Sequence, residues 1–249
     1  MGRLGRTVGI ARSLVIYHGI PLRQRRLRRL YAQFVSTGDL AFDIGAHAGN
    51  RTRALAALGC RVVAVEPQAD LAAMLRRFFG GSSRVTVLQA LMGAHVGRHT
   101  LWVSERHPTV ATAATDWRDA RAAEPGFAAV SWDTAVEVDS TTLDATIAKF
   151  GEPAFIKIDV EGFEPSVLAG LSRPIRTVSF EYLPGALEQV EECAAALSAL
   201  GPYEFNWSSG ETFVLASPRW MTAAGLIAAL RTPAAQRRSG DVYARLLSV

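Results

Sequence analysis

The sequence predicts an α/β protein built around a mostly parallel β-sheet. Three observations support this: short apolar runs alternate with helical segments, a glycine-containing turn follows the first run, and acidic residues end the later runs. With 249 residues, 49% of them hydrophobic and 20% charged, the chain can bury one large core. This composition excludes a disordered or collagen-like protein.

Residues 1–38 differ from the rest of the chain and predict a basic, helical N-terminal arm. They contain eight arginines and no Asp or Glu, so the net charge of +4 leaves 4 − 8 = −4 for the remaining residues. Apolar residues recur at helical spacing on both sides of a break at residues 19–21. Two interpretations remain open: a helix packed on the main domain with solvated arginines, or a contact with an anionic membrane or glycolipid.

The α/β alternation begins at residue 40. The predicted elements are strands at residues 40–44, 61–65, 85–88 and 100–103, with helices at 50–58 and 69–79. Residues 105–135 then break the rhythm, because prolines and tryptophans occur there without a clear period. We treat them as an insert with a functional or mobile role, since long irregular segments are uncommon in compact domains.

The second half resumes the alternation and predicts an antiparallel end to the sheet. The predicted elements are helices near 143–149, 165–171 and 187–200, and strands at 154–158 and 177–180. Residues 203–207 and 212–216 flank the sequence Ser208-Ser209-Gly210 and predict a β-hairpin. We therefore assign residues 39–249 to one domain that contains the insert. No apolar run of 18 residues predicts a transmembrane helix.

The turn after the first strand is the sharpest local pattern. Gly45 and Gly49 follow an apolar run and open a helix, at the strand end where open α/β sheets bind ligands. A dinucleotide prefers the spacing G-x-G-x-x-G, which this turn lacks. Asp43 lies two residues before the first glycine, where it would repel a pyrophosphate and attract a cation such as S-adenosylmethionine.

Two further strand ends extend this predicted cofactor site. Glu66 ends the second strand, 66 − 45 = 21 residues after Gly45. An acid at this place typically accepts hydrogen bonds from ribose hydroxyls. Gln89 ends the third strand, where it either contacts the adenine edge or caps the strand.

Three carboxylates follow the next two strands. Asp159 and Glu161 come at the end of the strand at 154–158, and Glu181 ends the strand after it, so all three should meet at one rim of the sheet. Such a cluster serves as a general base, as a set of oxygen ligands for a hard cation such as Mg²⁺, or as charges at a helix N-terminus. For Asp159 and Glu161 we favour a functional role.

Three other polar residues lie near this rim. Glu164 precedes a proline at a helix start, which favours a helix-terminal charge. Lys157 shares a strand face with Asp159 and is expected to offset its charge. His47 lies in the glycine turn, where it is a base, a substrate contact or a residue that packs on the cofactor. The two cysteines and the remaining histidines lack metal-ligand spacing, so we expect no zinc site.

The sequence resembles the FkbM-type S-adenosylmethionine-dependent methyltransferases. The matching blocks are FDIGAHAGNRT at Phe42–Thr52, VVAVEPQ at Val62–Gln68, FIKIDVEGFEPSVLAGL at Phe155–Leu171 and SFEY at Ser179–Tyr182. The third block is the most specific, because the first two recur across class I methyltransferases. The resemblance implies a Rossmann-like class I methyltransferase fold, with a mostly parallel seven-stranded sheet and a final antiparallel hairpin.

The resemblance also implies roles for residues in these blocks. It places Asp43, Gly45, Gly49 and Glu66 in the cofactor site, and Asp159 and Glu161 at the border of cofactor and acceptor. To the cofactor residues we add Asn50, Thr52 and Pro67 from the same blocks, and Gln89 at the end of the third strand. Our catalytic candidates are Asp159, Glu161 and His47, and our candidate metal ligands are Asp159, Glu161 and Glu181. The cofactor would be S-adenosyl-L-methionine, with a divalent cation such as Mg²⁺ as a second candidate.

The expected activity is O-methylation of a sugar, glycolipid or natural product. One alternative is a nucleic-acid methyltransferase that uses the basic arm, although the sequence lacks an Asn-Pro-Pro-Tyr type motif and a motif cysteine. Another is a non-catalytic membrane- or partner-binding module. We expect a cytoplasmic protein, either free or peripheral at the inner membrane face through its arm. The sequence leaves the acceptor and the oligomeric state open.

Overall fold

A computed structural model describes residues 21–247 except 105–106, 108–109, 125–126 and 128. The first half of the predicted arm therefore lies outside the described residues. The strands are β1 Leu40–Ile44, β2 Arg61–Val65, β3 Val85–Leu88, β4 Leu91–Met92, β5 Gly97–Val103, β6 Thr134–Thr141, β7 Phe155–Ile158, β8 Thr177–Tyr182, β9 Tyr203–Ser209 and β10 Gly240–Leu246.

The helices lie between these strands, largely where the periodicity predicts them. They are α1 Pro21–Tyr31, α2 Asn50–Ala57, α3 Ala69–Phe79, α4 Thr115–Ala122, α5 Leu143–Phe150, α6 Glu164–Ala169, α7 Leu187–Leu200 and α8 Ala223–Leu230. Short 3₁₀ turns cover Pro184–Ala186 and Ala235–Arg237. The structure thus confirms the alternation of strands and helices read from the sequence.

A seven-stranded sheet organises the molecule, in the order β3-β2-β1-β7-β8-β10-β9. Within this sheet, the neighbouring strands among β3, β2, β1, β7 and β8 pair in parallel. Strand β10 runs antiparallel to both of its neighbours. All five residues of the central strand β1 are buried, as expected for a parallel strand with helices on both faces. The predicted fold class, a mostly parallel seven-stranded sheet with an antiparallel end, is confirmed.

The two faces of this sheet have separate cores. Phe42 and Ile44 point to one face, where they join the large core formed with α5 to α8, and Ala41 points to the other. This alternation follows from the two-residue period of a strand. By register, Asp43 lies between Ala64 of β2 and Lys157 of β7. It therefore belongs to a strand with a parallel neighbour on each side.

Helix α1 packs on the second face and belongs to the body of the protein. Leu27, Leu30, Tyr31 and Phe34 are buried against Phe155 and residues of α2 and β10. Apolar residues at this spacing form the buried stripe of an amphipathic helix. The predicted division at residues 38 and 39 remains a prediction, but it does not mark a gap in the packing.

The predicted hairpin near the C-terminus is wrong in its second strand. Residues 212–216 form no strand, and β9 pairs with β10 at Gly240–Leu246 instead. About thirty residues, including α8, separate these two strands. The chain does turn at Ser208-Ser209-Gly210, because β9 ends there. The strand that pairs with β9, however, comes from a segment that is distant in sequence.

The predicted insert connects two strands of a second sheet. This sheet has the order β4-β6-β5, with β5 and β6 antiparallel. The predicted extra strand at 100–103 is the end of β5, and α4 lies within the insert. Among the described residues, no helix is both long enough and apolar enough to cross a membrane.

Candidate cofactor and acceptor site

The turn after β1 brings its backbone very close to the loop after β7. Gly45 has a φ of +78°, and a Cβ atom built there would lie 1.9 Å from the carbonyl oxygen of Asp159. Gly49 also has a positive φ, of +76°, and His47 shares this left-handed region at +50°. Only glycine fits at position 45, because it lacks the Cβ atom that would collide. The pattern in the sequence thus reflects a close approach of two loops.

Asp43 is completely buried at the end of β1. Its Oδ2 atom accepts a hydrogen bond of 2.5 Å from the hydroxyl of Thr52 on α2. Its Oδ1 atom has no hydrogen-bond partner among the described residues. Burial raises the pKa of Asp43, while the Thr52 bond and the Arg51 cation oppose that rise. A buried carboxylate oxygen without a donor is costly, so this atom fits a ligand that supplies a donor or a positive charge.

Glu66 is also buried, at the end of β2. Its carboxylate accepts hydrogen bonds from the backbone N–H groups of His47, at 3.0 Å, and Gln68, at 2.9 Å. Burial raises the pKa of Glu66 to about 7, although these two bonds act in the opposite direction. Glu66 therefore ties the glycine turn to the start of α3, and it lines the cavity described next.

Two adjoining cavities open at this end of the sheet. The first, here called the inner cavity, has apolar walls that include Ile44, Val65 and Met92, with Glu66 and Pro67 beside them. The second, the polar cavity, is lined by the glycine turn, by Asn50 and Arg51 of α2 and by Val110 of the insert. The residues common to both linings are Gly45, His47, Asp159 and Glu161.

The chemistry of the inner cavity fits a nucleoside. An apolar slot suits a flat aromatic base, and a single buried carboxylate suits ribose hydroxyls. The polar cavity, beside the start of α2, suits the charged end of a cofactor. The residues of this chain thus fit S-adenosylmethionine, which carries a nucleoside at one end and charged groups at the other.

Three carboxylates meet beside the two cavities: Asp159 and Glu161 line both, whereas Glu181 lines neither. Oxygen atoms of Asp159, Glu161 and Glu181 lie within 4.8 Å of one another. Burial, and next the negative charge of Asp159, raises the pKa of both Glu161 and Glu181 well above the usual value. Burial alone would raise the pKa of Asp159 too, but Arg51 and then Lys157 hold it below the usual value. The cluster therefore combines one ionised carboxylate with two that retain protons more readily.

Lys157 does offset the charge of Asp159, as predicted, but the cation in contact with Asp159 is Arg51. Arg51 Nη2 lies 3.0 Å from Asp159 Oδ2, whereas Lys157 Nζ lies 2.8 Å from Asp241 Oδ1 on β10. Arg51 and Asp241 are site residues that the sequence analysis missed. Arg51 lies inside the first matching block, Phe42–Thr52, so its place in the sequence could have indicated a role in the site. Asp241 lies on β10, a strand that the sequence patterns do not predict, so no signal in the sequence pointed to it.

Of the predicted cofactor residues, Asp43, Gly49, Thr52 and Gln89 line neither cavity. Thr52 is completely buried and reaches Asp43 rather than open space. Gln89 is exposed, and its side chain accepts a hydrogen bond of 3.3 Å from Arg76. Asn50 does line the polar cavity, but its side-chain oxygen accepts a hydrogen bond from Gln24 of α1. Their predicted roles in cofactor binding remain predictions.

Glu164 behaves as the helix-terminal interpretation expects. It lies in the first turn of α6 and is buried, and its Oε1 atom accepts a hydrogen bond of 3.0 Å from the backbone N–H of Val160. His47 lines both cavities, and burial lowers its pKa to about 4. At neutral pH its imidazole is therefore uncharged.

The insert covers the border of the two cavities. The hydroxyl of Thr112 donates a 2.7 Å hydrogen bond to the backbone oxygen of Glu161. The indole of Trp117 packs so closely on Gly162 that a Cβ atom there would lie 2.2 Å from the ring. Gln189 of α7 donates a hydrogen bond of 3.0 Å to the backbone oxygen of Gly162. The insert and α7 thus both contact the turn that carries Glu161.

Comparisons with known proteins give one family match and several likenesses of fold. Residues 43–204 match the family model described as the methyltransferase FkbM domain. No curated protein sequence matches the chain at a significant level.

Three solved structures illustrate the likeness of fold. Precorrin-6y C5,15-methyltransferase from Geobacter metallireducens is 10% identical, with a TM-score of 0.47 over 90% of this chain and 86% of its own. A SAM-dependent O-methyltransferase from Thermotoga maritima is 13% identical, with a TM-score of 0.42 over 92% and 66%. The 23S rRNA methyltransferase ErmE is 14% identical, with a TM-score of 0.45 over 90% and 68%.

Proposed function

Because the chain belongs to the FkbM-domain family of methyltransferases, we propose that it methylates a hydroxyl oxygen of a sugar, a glycolipid or a natural product. Its family and its class I fold make S-adenosylmethionine the methyl donor. The observation that carries the oxygen specificity is the set of carboxylates at the border of the two cavities. A hydroxyl must lose its proton during transfer, and a carboxylate at this border is in position to accept it.

The proposed reaction is a single displacement. When bound, S-adenosylmethionine supplies a methyl group made electrophilic by the sulfonium. The acceptor oxygen forms the new bond to this methyl while the carbon–sulfur bond breaks, S-adenosylhomocysteine departs, and the hydroxyl proton passes to a carboxylate. Alignment of the two reactants contributes much of the rate, and the glycine turn and the insert are the elements that would provide it.

We assign the proton acceptor to Glu161. This residue lines both cavities, and in its ionised form a carboxylate whose pKa is raised binds a proton more strongly than an ordinary one. Asp159 is a poorer choice, because Arg51 is paired with it at 3.0 Å. His47 is kept as an acceptor contact, since its uncharged imidazole lines both cavities.

Binding of the cofactor is the first test of this proposal. Calorimetry should detect S-adenosylmethionine binding, and Asp43→Ala should weaken it about tenfold or more, because the buried donor-seeking carboxylate is lost. Asp144→Ala is a matched control, since Asp144 lies on α5 away from both cavities. Absence of binding to the wild-type protein would refute the proposed function.

The acceptor is the second unknown. Mass spectrometry of extracts from a deletion strain should find a metabolite about 14 Da lighter, one methylene less, and the wild-type gene should restore the mass. A gene carrying Glu161→Gln should fail to restore it although the protein still binds S-adenosylmethionine. A lighter RNA or DNA nucleoside instead of a small molecule would favour the alternative of a nucleic-acid methyltransferase.

A divalent cation stays a secondary prediction. Asp159, Glu161 and Glu181 are close enough to share an ion, but the Arg51 cation already contacts Asp159. Titration of the protein with MgCl₂ in the calorimeter, repeated with Glu181→Gln, tests this prediction directly. Heat of binding that depends on Glu181 would support the cation, and its absence would remove it from the proposal.

The arm supports a second partner, an anionic membrane surface. The exposed side of α1 carries Arg25, Arg26, Arg28 and Arg29, and none of the four forms an ion pair with another described residue. Since the apolar side of α1 is buried in the core, the contact would be purely electrostatic and weakened by salt.

Vesicle flotation tests this partner. Wild-type protein should float with vesicles that contain phosphatidylserine and remain below neutral ones, and the substitution of all four arginines by glutamine should abolish flotation. Deletion of residues 1–38 is the poorer experiment, because it would also remove part of the core. Steep salt-dependent binding to RNA in place of vesicles would contradict the membrane assignment.

A further inference from the structure

Four charged side chains form a continuous series behind the border of the two cavities. Lys157 Nζ lies 2.8 Å from Asp241 Oδ1, and the same oxygen lies 3.8 Å from Arg51 Nη2. Arg51 Nη2 in turn lies 3.0 Å from Asp159 Oδ2. Positive and negative charges alternate along this series, which we call the ion-pair series. It joins β7, β10 and α2 to the loop after β7.

The ion-pair series runs from the protein interior to the cavities. The Lys157 side chain is completely buried, and that of Asp241 is 7% exposed, whereas those of Asp159 and Arg51 are 18% and 27% exposed. Asp159 lines both cavities and Arg51 lines the polar one, but neither Lys157 nor Asp241 lines either of them. The two inner members can therefore affect a ligand only through the two outer members.

The inner pair is well anchored. Lys157 Nζ also donates a 2.8 Å hydrogen bond to the backbone oxygen of Ile158, so the ammonium has two partners. A buried ion pair persists only when its geometry is good and its remaining hydrogen-bonding groups are satisfied. Asp241 is thereby fixed, and it presents the same oxygen atom to Arg51.

Asp159 needs this support because of its neighbours. Carboxyl oxygens of Glu161 and Glu181 lie within 4.8 Å of it. Whenever either of these groups loses its proton, it places a like charge beside Asp159 in a partly buried site, where the repulsion is strong. Arg51 is the cation in contact with Asp159 in the described part of the chain. Without it, the Asp159 carboxylate would turn away from its acidic neighbours.

We propose that Arg51 and Asp241 are positioning residues, which hold the Asp159 carboxylate at the border of the two cavities so that it faces the sulfonium of the methyl donor. This inference rests on the proposed function, because it takes S-adenosylmethionine as the ligand. Arg51 acts through Asp159, and Asp241 acts through Arg51. Asp241 lies outside residues 43–204, the range matched by the family model, so the last strand completes the site.

A comparison of two ligands tests this role without knowledge of the acceptor. S-adenosylmethionine carries the sulfonium charge, whereas S-adenosylhomocysteine has an uncharged sulfur. Arg51→Gln should weaken S-adenosylmethionine binding about tenfold and S-adenosylhomocysteine binding less than about threefold, because only the first ligand uses the positioned charge. Loss of a merely structural contact would weaken both ligands equally.

Two variants serve as controls for Arg51. Arg51→Lys keeps a cation at this place and should restore most of the preference for the charged ligand, although its single ammonium cannot reproduce the guanidinium geometry. Arg53→Gln removes the same charge from an exposed position on α2 and should leave both affinities unchanged. If Arg51→Gln does not fold, Arg51→Lys and Asp241→Asn carry the test.

A double-mutant cycle tests whether Asp241 acts through Arg51. Asp241→Asn should lower the preference for the charged ligand in the wild-type background and have no further effect in the Arg51→Gln background. Equal losses for both ligands, a rise in the preference, or additive effects would each overturn the inference. If the wild-type protein binds neither ligand, the proposed function fails; if it binds both and the variants retain its preference, only this inference fails.

Discussion

At the scale of single residues, burial decides what the acids of the site can do. Asp43, Glu66 and Asp159 all lie at strand ends, yet each has a different environment. Asp43 keeps one oxygen without a donor, Glu66 accepts two backbone N–H groups, and Asp159 is paired with Arg51. The residue type and position were readable from the sequence, but these differences arise from partners that only the fold supplies.

Glu66 gives a prediction about pH. Its pKa is about 7 in the folded protein and near 4.5 when unperturbed, so the folded state holds this proton more tightly. The stability from Glu66 is therefore complete below pH 4.5 and is lost as the pH rises through 7, a change of about 3 kcal/mol in the free energy of unfolding. Glu66→Gln should remove this part of the pH dependence in denaturant titrations at pH 5 and pH 8.

The same residue should make cofactor binding depend on pH. Ribose hydroxyls donate hydrogen bonds, and an ionised Glu66 accepts them better than a protonated one. S-adenosylmethionine affinity measured by calorimetry should therefore rise between pH 6 and pH 8. Glu66→Gln should bind more weakly with an almost flat profile. A wild-type affinity that falls over this range would contradict the assigned role.

At the scale of elements, loops that touch one another build the site. Gly162 has a φ of +91°, and its missing Cβ atom leaves room for the Trp117 ring. Trp117 itself lies on α4, within the insert that connects β5 and β6. The contact of Trp117 with the main domain therefore requires a glycine at position 162.

Gly162→Val should loosen the insert. The added side chain would both collide with Trp117 and occupy a left-handed backbone conformation, at a cost of about 2–4 kcal/mol. The expected result is a red shift of tryptophan fluorescence, with a lower melting temperature. Gly97→Val is the matched control, because nothing lies within 4 Å of a Cβ atom at that position in β5. Equal changes in both variants would disprove the specific contact.

At the scale of the whole molecule, helix α1 and the residues that follow it are part of the fold. Leu30 is 1% exposed and packs with Phe34, Phe155 and Tyr243 on one face of the large sheet. Phe34 stacks on both Phe155 and Tyr243, with ring centroids 5.9 and 5.1 Å apart. Residues from both ends of the chain thus meet over its central strands.

Leu30→Ala should consequently destabilise the entire protein. Removal of a buried leucine side chain costs about 2–5 kcal/mol, and this cost should appear as a lower midpoint in urea unfolding with an unchanged slope. Arg29→Ala, the exposed neighbour on the same helix, should change stability by no more than about 0.5 kcal/mol. A separate low-temperature transition for Leu30→Ala would instead indicate that α1 is an independent arm.

The local features of this protein can be predicted from the amino-acid sequence alone. Period-two and helical patterns predicted most strands and helices, since these depend on which residues face the core, and glycine spacing predicted the turn at Gly45. The matching blocks identified the family and the rim carrying Asp159 and Glu161. Each of these inferences uses residues that are close together along the chain.

The folding of the whole chain settles which distant residues meet. It paired β9 with β10 rather than with residues 212–216, joined Arg51 to Asp159 and Lys157 to Asp241, and buried α1 against the sheet. Such contacts depend on strand order and on packing of the whole chain, which local periodicity does not encode. The sequence predicts where each acidic residue lies, but its state of ionisation depends on residues that contact it only in the folded protein.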